Sequence, residues 1–334
     1  MNYRHAFHAG NFADVIKHAV LTRILVHLLG KPAAFRVIDT HAGAGVYDLT
    51  GDEASRSGEW RSGIGRLLAA PIAPAVRALL EPYLDVVASF NSASLRGTST
   101  APRSPADAGT RRDHSNQDDS NQNAQSLDSG LRGNDQLASG STRTEYVLTS
   151  YPGSPALVRA LLRTQDRLVA CELEPKAYAL LAHNLARDRR IKTVAIDGWM
   201  AWNAYVPPLE RRGIVVVDPP FEEAQDFTRL AHGLETAYRK WASGIYLLWY
   251  PIKGRQEPDA LARRLKRSGI ARILRAELAV GATPAQGPLG GCGLIVINPP
   301  WTLENELAAI LPELVKALGS RNSNYRLDWI AGEN

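Results

Sequence analysis

The run Gly213-Ile214-Val215-Val216-Val217, followed by Asp218-Pro219-Pro220-Phe221, limits the possible folds more than any other stretch of this chain. Five residues without a polar side chain, four of them β-branched, suit a strand buried on both faces, the habit of parallel sheets covered by helices. The two prolines cannot extend the ladder, so the backbone must open just past the carboxylate. In such a sheet, ligands bind in the crevice beyond the carboxyl ends of the strands. Asp218, the carbonyl of Pro219 and the flat face of Phe221 then converge on one place, and together they suit a planar base with an exocyclic amine. A helix-capping acid at the start of an ordinary loop uses the same residue types. The rest of the chain has to decide.

Three earlier stretches follow the same logic. Residues 34–38 read as a strand entering Asp39-Thr40-His41-Ala42-Gly43-Ala44-Gly45, where small residues let a ligand approach the backbone closely. The Gly-x-Gly-x-x-Gly spacing is absent and no acid ends a second strand about 20 residues on, which disfavours an NAD-dependent oxidoreductase. Residues 167–171 read as a second strand ending in Glu172, whose carboxylate can accept from both hydroxyls of a ribose. Glu172 comes about 127 positions after Gly45, and two insertions account for the gap. Residues 191–196 read as a third strand ending in Asp197-Gly198, an acceptor for an adenine amine or simply a turn. The opening run is the fourth. This succession of strand ends resembles the layout of α/β, Rossmann-like class I methyltransferases, a resemblance that implies S-adenosylmethionine as cofactor.

The organisation predicted is a methyltransferase domain in residues 1–50 and 146–334, a helical insertion subdomain in 51–95, and a disordered low-complexity insertion in 96–145. Pro71 and Pro74 break the helical pattern that carries Ile64, Leu67, Val76 and Leu80. In 96–145 only Leu127, Leu131 and Leu137 are large and apolar, too little to offset the entropy of ordering the segment. Its residues 127–135 resemble translated copies of dispersed bacterial repeats.

Elsewhere the pattern predicts a helix over 14–29 capped by Asp14, and a helix from Ser154 as cap with Pro155 behind it. Further helices are predicted over 176–187, 222–241 and 259–266, and strands over 245–251, 273–280 and 294–297. The last strand runs into Asn298-Pro299-Pro300-Trp301, a rival to the opening motif. Its place after a final hairpin strand, rather than beside the first strand, argues for Asp218 over Asn298.

A net charge of +5 and a pI near 9.2 point to an anionic partner without proving one. The aromatic and basic arm at the start of the chain offers Tyr3, Arg4 and Lys17 for stacking and phosphate contact. His5, His8 and His18 match no metal-ligand spacing, and no metal is expected. Cys171 and Cys292 sit in apolar runs and read as buried free thiols, and no apolar run reaches membrane-spanning length. The expectation is a soluble, cytoplasmic protein.

Five motifs in register make the match closer: residues 3–11, 39–45, Tyr151-Pro152-Gly153-Ser154-Pro155, Trp249-Tyr250-Pro251 and 297–301. Together they resemble the bacterial RlmJ family of 23S ribosomal RNA adenine-N6 methyltransferases, over essentially the whole chain except 96–145. The resemblance implies methylation of adenine 2030 of 23S rRNA, with an early-assembly or protein-poor RNA as partner. It implies methyl-donor contacts at His18, His41, Ser154, Glu172, Asp197 and Gly198, catalysis at Asp218, and RNA contact at Tyr3. The strand-end reading adds Gly43, Gly45 and Asp218 on the donor side, and Pro219 and Phe221 beside Asp218 at the target base. Phe221 stands where that family often carries Tyr. A DNA adenine-N6 methyltransferase and a non-catalytic RNA-binding assembly factor are the alternative readings.

Overall fold

The structure, a computed structural model, describes residues 4–91, 147–281 and 289–332. The first half contains α1 (Phe12–Leu29), β1 (Arg36–Asp39), β2 (Val46–Asp48), α2 (Asp52–Ser57), α3 (Arg66–Ala69), α4 (Pro74–Ser89), β3 (Ser150–Pro152) and α5 (Ser154–Leu161). It continues through β4 (Arg167–Glu172), α6 (Pro175–Asn184), β5 (Ile191–Ala195), α7 (Gly198–Tyr205), β6 (Gly213–Val217) and α8 (Asp226–Lys240). Then come β7 (Ile245–Pro251), α9 (Gln256–Arg267), β8 (Ile273–Ala279), β9 (Gly291–Ile297), α10 (Leu303–Leu318) and β10 (Asn324–Ala331).

Eight strands form one sheet in the order β10-β8-β9-β7-β6-β1-β4-β5. β5, β4, β1, β6 and β7 are parallel, and β9, β8 and β10 close the sheet antiparallel. Helices cover both faces, which is why β6 is buried at all five positions and reads as an unbroken apolar run. One core lies under α1, α4, α5 and α10 and the other under α7, α8 and α9. α1 packs against α4, α5 and α10 at once, so it is apolar almost all round.

β1 lies between β4 and β6. The switch in strand order therefore falls at β1, and Gly43, Glu172, Asp197 and Asp218 come out on the same edge of the sheet. β9 runs the other way: Ile297 pairs with Tyr246 near the start of β7. Asn298 consequently emerges on the opposite edge, where its Nδ2 donates to the carbonyls of Ala242 and Gly244 at 2.7 and 2.8 Å. The rival motif fastens a loop.

Two predicted caps are corrected. Asn11, not Asp14, caps α1, its side chain accepting from the N–H groups of Ala13 and Asp14. Gly153, not Ser154, precedes α5, and Ser154 is its first helical residue. In both cases the residue assigned to the cap is committed to a buried polar contact instead. The short β2–β3 pair, α7, α10 and β10 have no counterpart in the sequence reading. The 96–145 insertion lies outside the described residues.

Gly213 sits where β6 begins beside β1, with φ at +151°, and a Cβ there would stand 1.9 Å from the carbonyl oxygen of Arg36. Gly213→Ala should destabilise the fold by roughly 3 kcal/mol or more through backbone clash and strain. Urea titration checks this, and a loss below about 1 kcal/mol would contradict the packing described.

Candidate active site

The carboxyl edge of the parallel strands opens into two adjoining cavities. One, of 390 Å³, is lined by Arg4, His5, Lys17, Gly43, Ser154 and Asp218 among others. The second, of 170 Å³, is bounded by Asp197, Gly198, Trp199, Asp226 and Arg229. His41, Glu172 and Pro220 line both, so they form one bent cleft.

The loop after β1 is shaped to admit a ligand. Gly43 and Gly45 have φ of +60° and +79°, which only glycine adopts without cost. Gly43 N–H donates to Glu172 Oε2 at 2.8 Å, while Glu172 Oε1 accepts from the N–H groups of Leu173 and Glu174. Three backbone donors thus orient this carboxylate. Asp197 caps α7 by accepting from Trp199 N–H at 2.9 Å. At Gly198 a Cβ would meet Thr40 O at 2.3 Å and His41 Nε2 at 2.4 Å, so α7 can start this close to the β1 loop only with glycine. His41 is edge-on to Trp199 at 5.6 Å and hydrogen-bonded to Thr40 Oγ1 at 2.8 Å. Burial, with Arg229 adding to it, pushes His41 down to about 3, so it is neutral near pH 7.

Asp218 ends its strand beside a buried cation. Lys17 Nζ lies 2.5 Å from Asp218 Oδ2 and 2.8 Å from Asp14 Oδ1. Asp14 Oδ2 in turn receives the N–H of Gly10 at 2.9 Å and contacts His5 Nε2 at 3.0 Å. Burial by itself would discharge Lys17, but the two carboxylates reverse this and hold its pKa well above the usual range. Against the same burial, His5 and Lys17 hold Asp14 well below its ordinary value. The row His5–Asp14–Lys17–Asp218 therefore stays charged at its centre and links the N-terminal arm to the tip of β6.

The remaining predicted residues fall in several places. Arg4 is exposed at the cavity mouth and paired with Glu53 at 2.7 Å. Lys17, expected on an RNA-facing arm, is buried on α1 and turned towards Asp218, a correction forced by its two carboxylate partners. Ser154 Oγ donates to Asp39 Oδ2 at 2.7 Å. His18 lines neither cavity: it is fully buried, its Nδ1 is 2.8 Å from the hydroxyl of Tyr151, and that hydroxyl is 2.8 Å from Tyr83's. Pro219 is buried. Phe221, with φ at +50°, turns its ring onto Phe227 at 4.8 Å and Trp249 at 5.7 Å, into a neighbouring cavity. Tyr3 lies outside the described residues. Cys171 and Cys292 are free and buried.

Sequence reasoning missed Asp14, His5 and Asp39 as site residues. Asp14 and Lys17 are three apart on a helix, a spacing that aligns an acid with a base, and that was the available signal. Asp39 gave none: its burial depends on β4, β6 and α5 closing around it.

An open α/β sheet with glycine, glutamate and aspartate at successive strand ends, and an Asp-Pro-Pro-aromatic tetrapeptide beside the first strand, defines a Rossmann-like class I methyltransferase. The family model described as Ribosomal RNA large subunit methyltransferase D, RlmJ, matches residues 32–124 and 135–331, and the chain belongs to that family. It is 35% identical to the Ribosomal RNA large subunit methyltransferase J of Escherichia coli (strain K12), over 334 residues that cover all of both chains. The protein of the same name from Haemophilus influenzae is 33% identical, again over 100% of each chain. A crystal structure from Legionella pneumophila superposes with a TM-score of 0.73 at 27% identity, covering 96% of this chain and 98% of that one. The protein is thus an rRNA methyltransferase.

Asp39 is 1% exposed, its Oδ1 has no hydrogen-bond partner, and burial raises its pKa to about 6. A carboxyl raised in the folded state stabilises the fold below its unfolded pKa, and that contribution is lost as pH climbs through the folded value. Between about pH 4 and pH 6, wild-type stability should fall by up to about 3 kcal/mol from this group alone. Asp39→Asn should remove that slope while keeping an acceptor for Ser154. Urea titrations at pH 5 and pH 7.5 check it; parallel wild-type and variant curves would refute it.

Proposed function

We propose that this chain transfers a methyl group to N6 of an adenine in 23S ribosomal RNA, with adenine 2030 as the target that the family resemblance indicates. The observation that carries this reading is the placement of Asp218 at the tip of β6, held by buried Lys17 in the cavity that continues into the Glu172 and Asp197 cleft.

The cleft's chemistry fits S-adenosylmethionine. Glu172 has the oriented oxygens that a ribose diol needs, and Asp197 beside Trp199 suits an adenine with its amine. Gly43, Gly45 and Gly198 let the loop after β1 and the start of α7 pack this closely beside the cleft, since a Cβ at them would meet Tyr47, Leu181 and Thr40. The many carboxylates of the lining suit a cation. When bound, the donor supplies a methyl group activated by its positive sulfonium.

The rest is the work of the chain. The target adenine, unpaired or flipped from its stack, presents its amine to Asp218 and to the Pro219 carbonyl. Lys17 occupies Asp218 Oδ2 and leaves Oδ1 to accept from the amine. Two acceptors fix the direction of the nitrogen lone pair, and this positioning supplies much of the acceleration. The amine turns acidic only as its bond to carbon forms, and Asp218 takes that proton late.

Asp218→Ala should lower the methylation rate by at least about 10³-fold while donor affinity stays within a few-fold. Single-turnover assays and calorimetric titration of the donor measure the two separately, and near-normal turnover would sink the assignment. Mass analysis of nucleosides from deproteinised 23S transcript and from duplex DNA tests the substrate. N6-methyladenosine in RNA alone is expected, and methylation of DNA alone would replace the reading with that of a DNA enzyme.

A further inference from the structure

The chain's excess positive charge is not at the cleft. The charged side chains that line the two cavities at the carboxyl edge are eight acids against four cations, Arg4, Lys17, Lys176 and Arg229. The segments at the opposite edge, where the parallel strands begin, are 30–36, 162–167, 185–190 and 206–212. They hold nine Lys or Arg and three acids, an excess of six, against five for the whole chain.

Backbone pairing lines these arginines up. Arg36 is opposite Arg167 on β4, Arg36 N–H donates to Arg212 O at 2.9 Å, and Leu168 N–H donates to Arg190 O at 2.9 Å. The three acids are taken: Asp166 by Arg163, Asp188 by Arg190, and Glu210 by Arg36. Lys31, Arg187, Arg189 and Arg211 are exposed and make no side-chain hydrogen bond or ion pair with the other described residues. Crowding is real here, since Arg163 and Arg212 both donate to the carbonyl of Ala33. Folding gains nothing from like charges held this close, whereas a bound polyanion would relieve their repulsion.

The same edge receives the end of the antiparallel strand β9. Trp301, 78% exposed, stands there with Trp329 and Arg272 around a cavity of 330 Å³. From β8 to β5 the edge spans roughly 30 Å at the usual strand spacing. Arginines in a row with an exposed indole at one end are the components of a nucleic-acid track.

We infer that this amino edge is a second RNA-docking surface, which grips the phosphate backbone of the large substrate at a distance from the methylated adenine, with Trp301 as a stacking platform at its end. The inference rests on the proposed RNA substrate but not on the chemistry at Asp218. An acidic cleft repels RNA phosphates, so affinity for a long RNA has to be supplied elsewhere.

The test is a quadruple variant, Lys31→Gln, Arg187→Asn, Arg189→Gln and Arg211→Asn. Asparagine is chosen at 187 and 211 because both have positive φ, +65° and +51°. Binding of a 23S rRNA transcript, measured against salt, should weaken roughly tenfold or more, and the slope of log K on log salt should flatten by about 2–3. Trp301→Ala should weaken it roughly fivefold or more with the slope unchanged. Methylation of a short oligonucleotide around the target should be unaltered in both variants. Unchanged transcript affinity and slope in the quadruple variant overturns the inference, as does wild-type binding to anionic lipid vesicles in preference to the transcript. Unchanged binding by Trp301→Ala overturns the stacking role. If no protein methylates the oligonucleotide while transcript binding still drops as expected, the chemical reading has failed and the docking surface stands.

Discussion

The buried ammonium of Lys17 is the interaction on which the site depends. A lysine this deep loses hydration worth several kcal/mol, and the loss is offset only because Asp14 and Asp218 both lie within ion-pair distance. The cost falls on sequence elements far apart. α1 must lie against β6 in one register, the chain before α1 must bring Gly10 N–H and His5 to the free side of Asp14, and β6 must end within reach of Nζ. Removal of either carboxylate leaves the buried ammonium with one partner in place of two, and removal of Lys17 leaves two carboxylates without their shared cation. The pairing therefore fixes the arm, the first helix and the tetrapeptide relative to one another before any ligand arrives.

This arrangement has an electrostatic consequence for the cleft. Lys17 is almost wholly buried, so its charge is spent on two carboxylates, and Asp39, Glu172, Asp197 and Asp226 lie nearby, at a cleft whose lining acids outnumber its cations. A sulfonium donor finds a favourable field there, and a polyanion does not. Arg229 is laid over the Trp199 ring at 4.6 Å and paired with Asp226 at 3.4 Å. Separation of an acidic reaction cleft from a basic opposite edge lets one small protein serve a cationic donor and an anionic acceptor without either excluding the other.

The sheet was legible because its inner parallel strands had to be apolar along most of their length, and β5 at the edge, with Lys192 and Thr193, was legible from its β-branched residues and the Asp197-Gly198 that follows. Strands at 167–172, 191–195, 213–217 and 245–251 follow from these signals. What the chain hid were contacts made across long sequence separations. Asp14 has the composition and position of a helix cap, and Ser154 before a proline has the same, yet both turn inward: Asp14 to Lys17 one turn on, whose other partner Asp218 is 201 residues from it, and Ser154 to Asp39, 115 residues away. Local preference assigns a cap where tertiary packing offers a stronger, desolvated acceptor or cation. The edge strand β10 was hidden for a different reason: Arg326 and Asp328 interrupt its pattern, Asp328 pairing with Arg326 on its own strand and with Arg275 on β8.

The two Pro-Pro motifs show how far local sequence reaches. Both follow buried apolar strands, both include a residue with positive φ, Phe221 at +50° and Asn298 at +51°, and both carry an aromatic fourth residue. Chain direction separates them. A parallel β6 delivers Asp218 to the ligand edge beside β1, while an antiparallel β9 delivers Asn298 to the far edge. There the amide spends its donors on two loop carbonyls and the following indole is left in solvent. Likewise the ring of Phe221 is held by Phe227 and Trp249, which need only an aromatic surface, so the missing hydroxyl costs that packing nothing. A motif of this kind specifies a strand end and an opened backbone; the topology decides whether the opening faces a substrate.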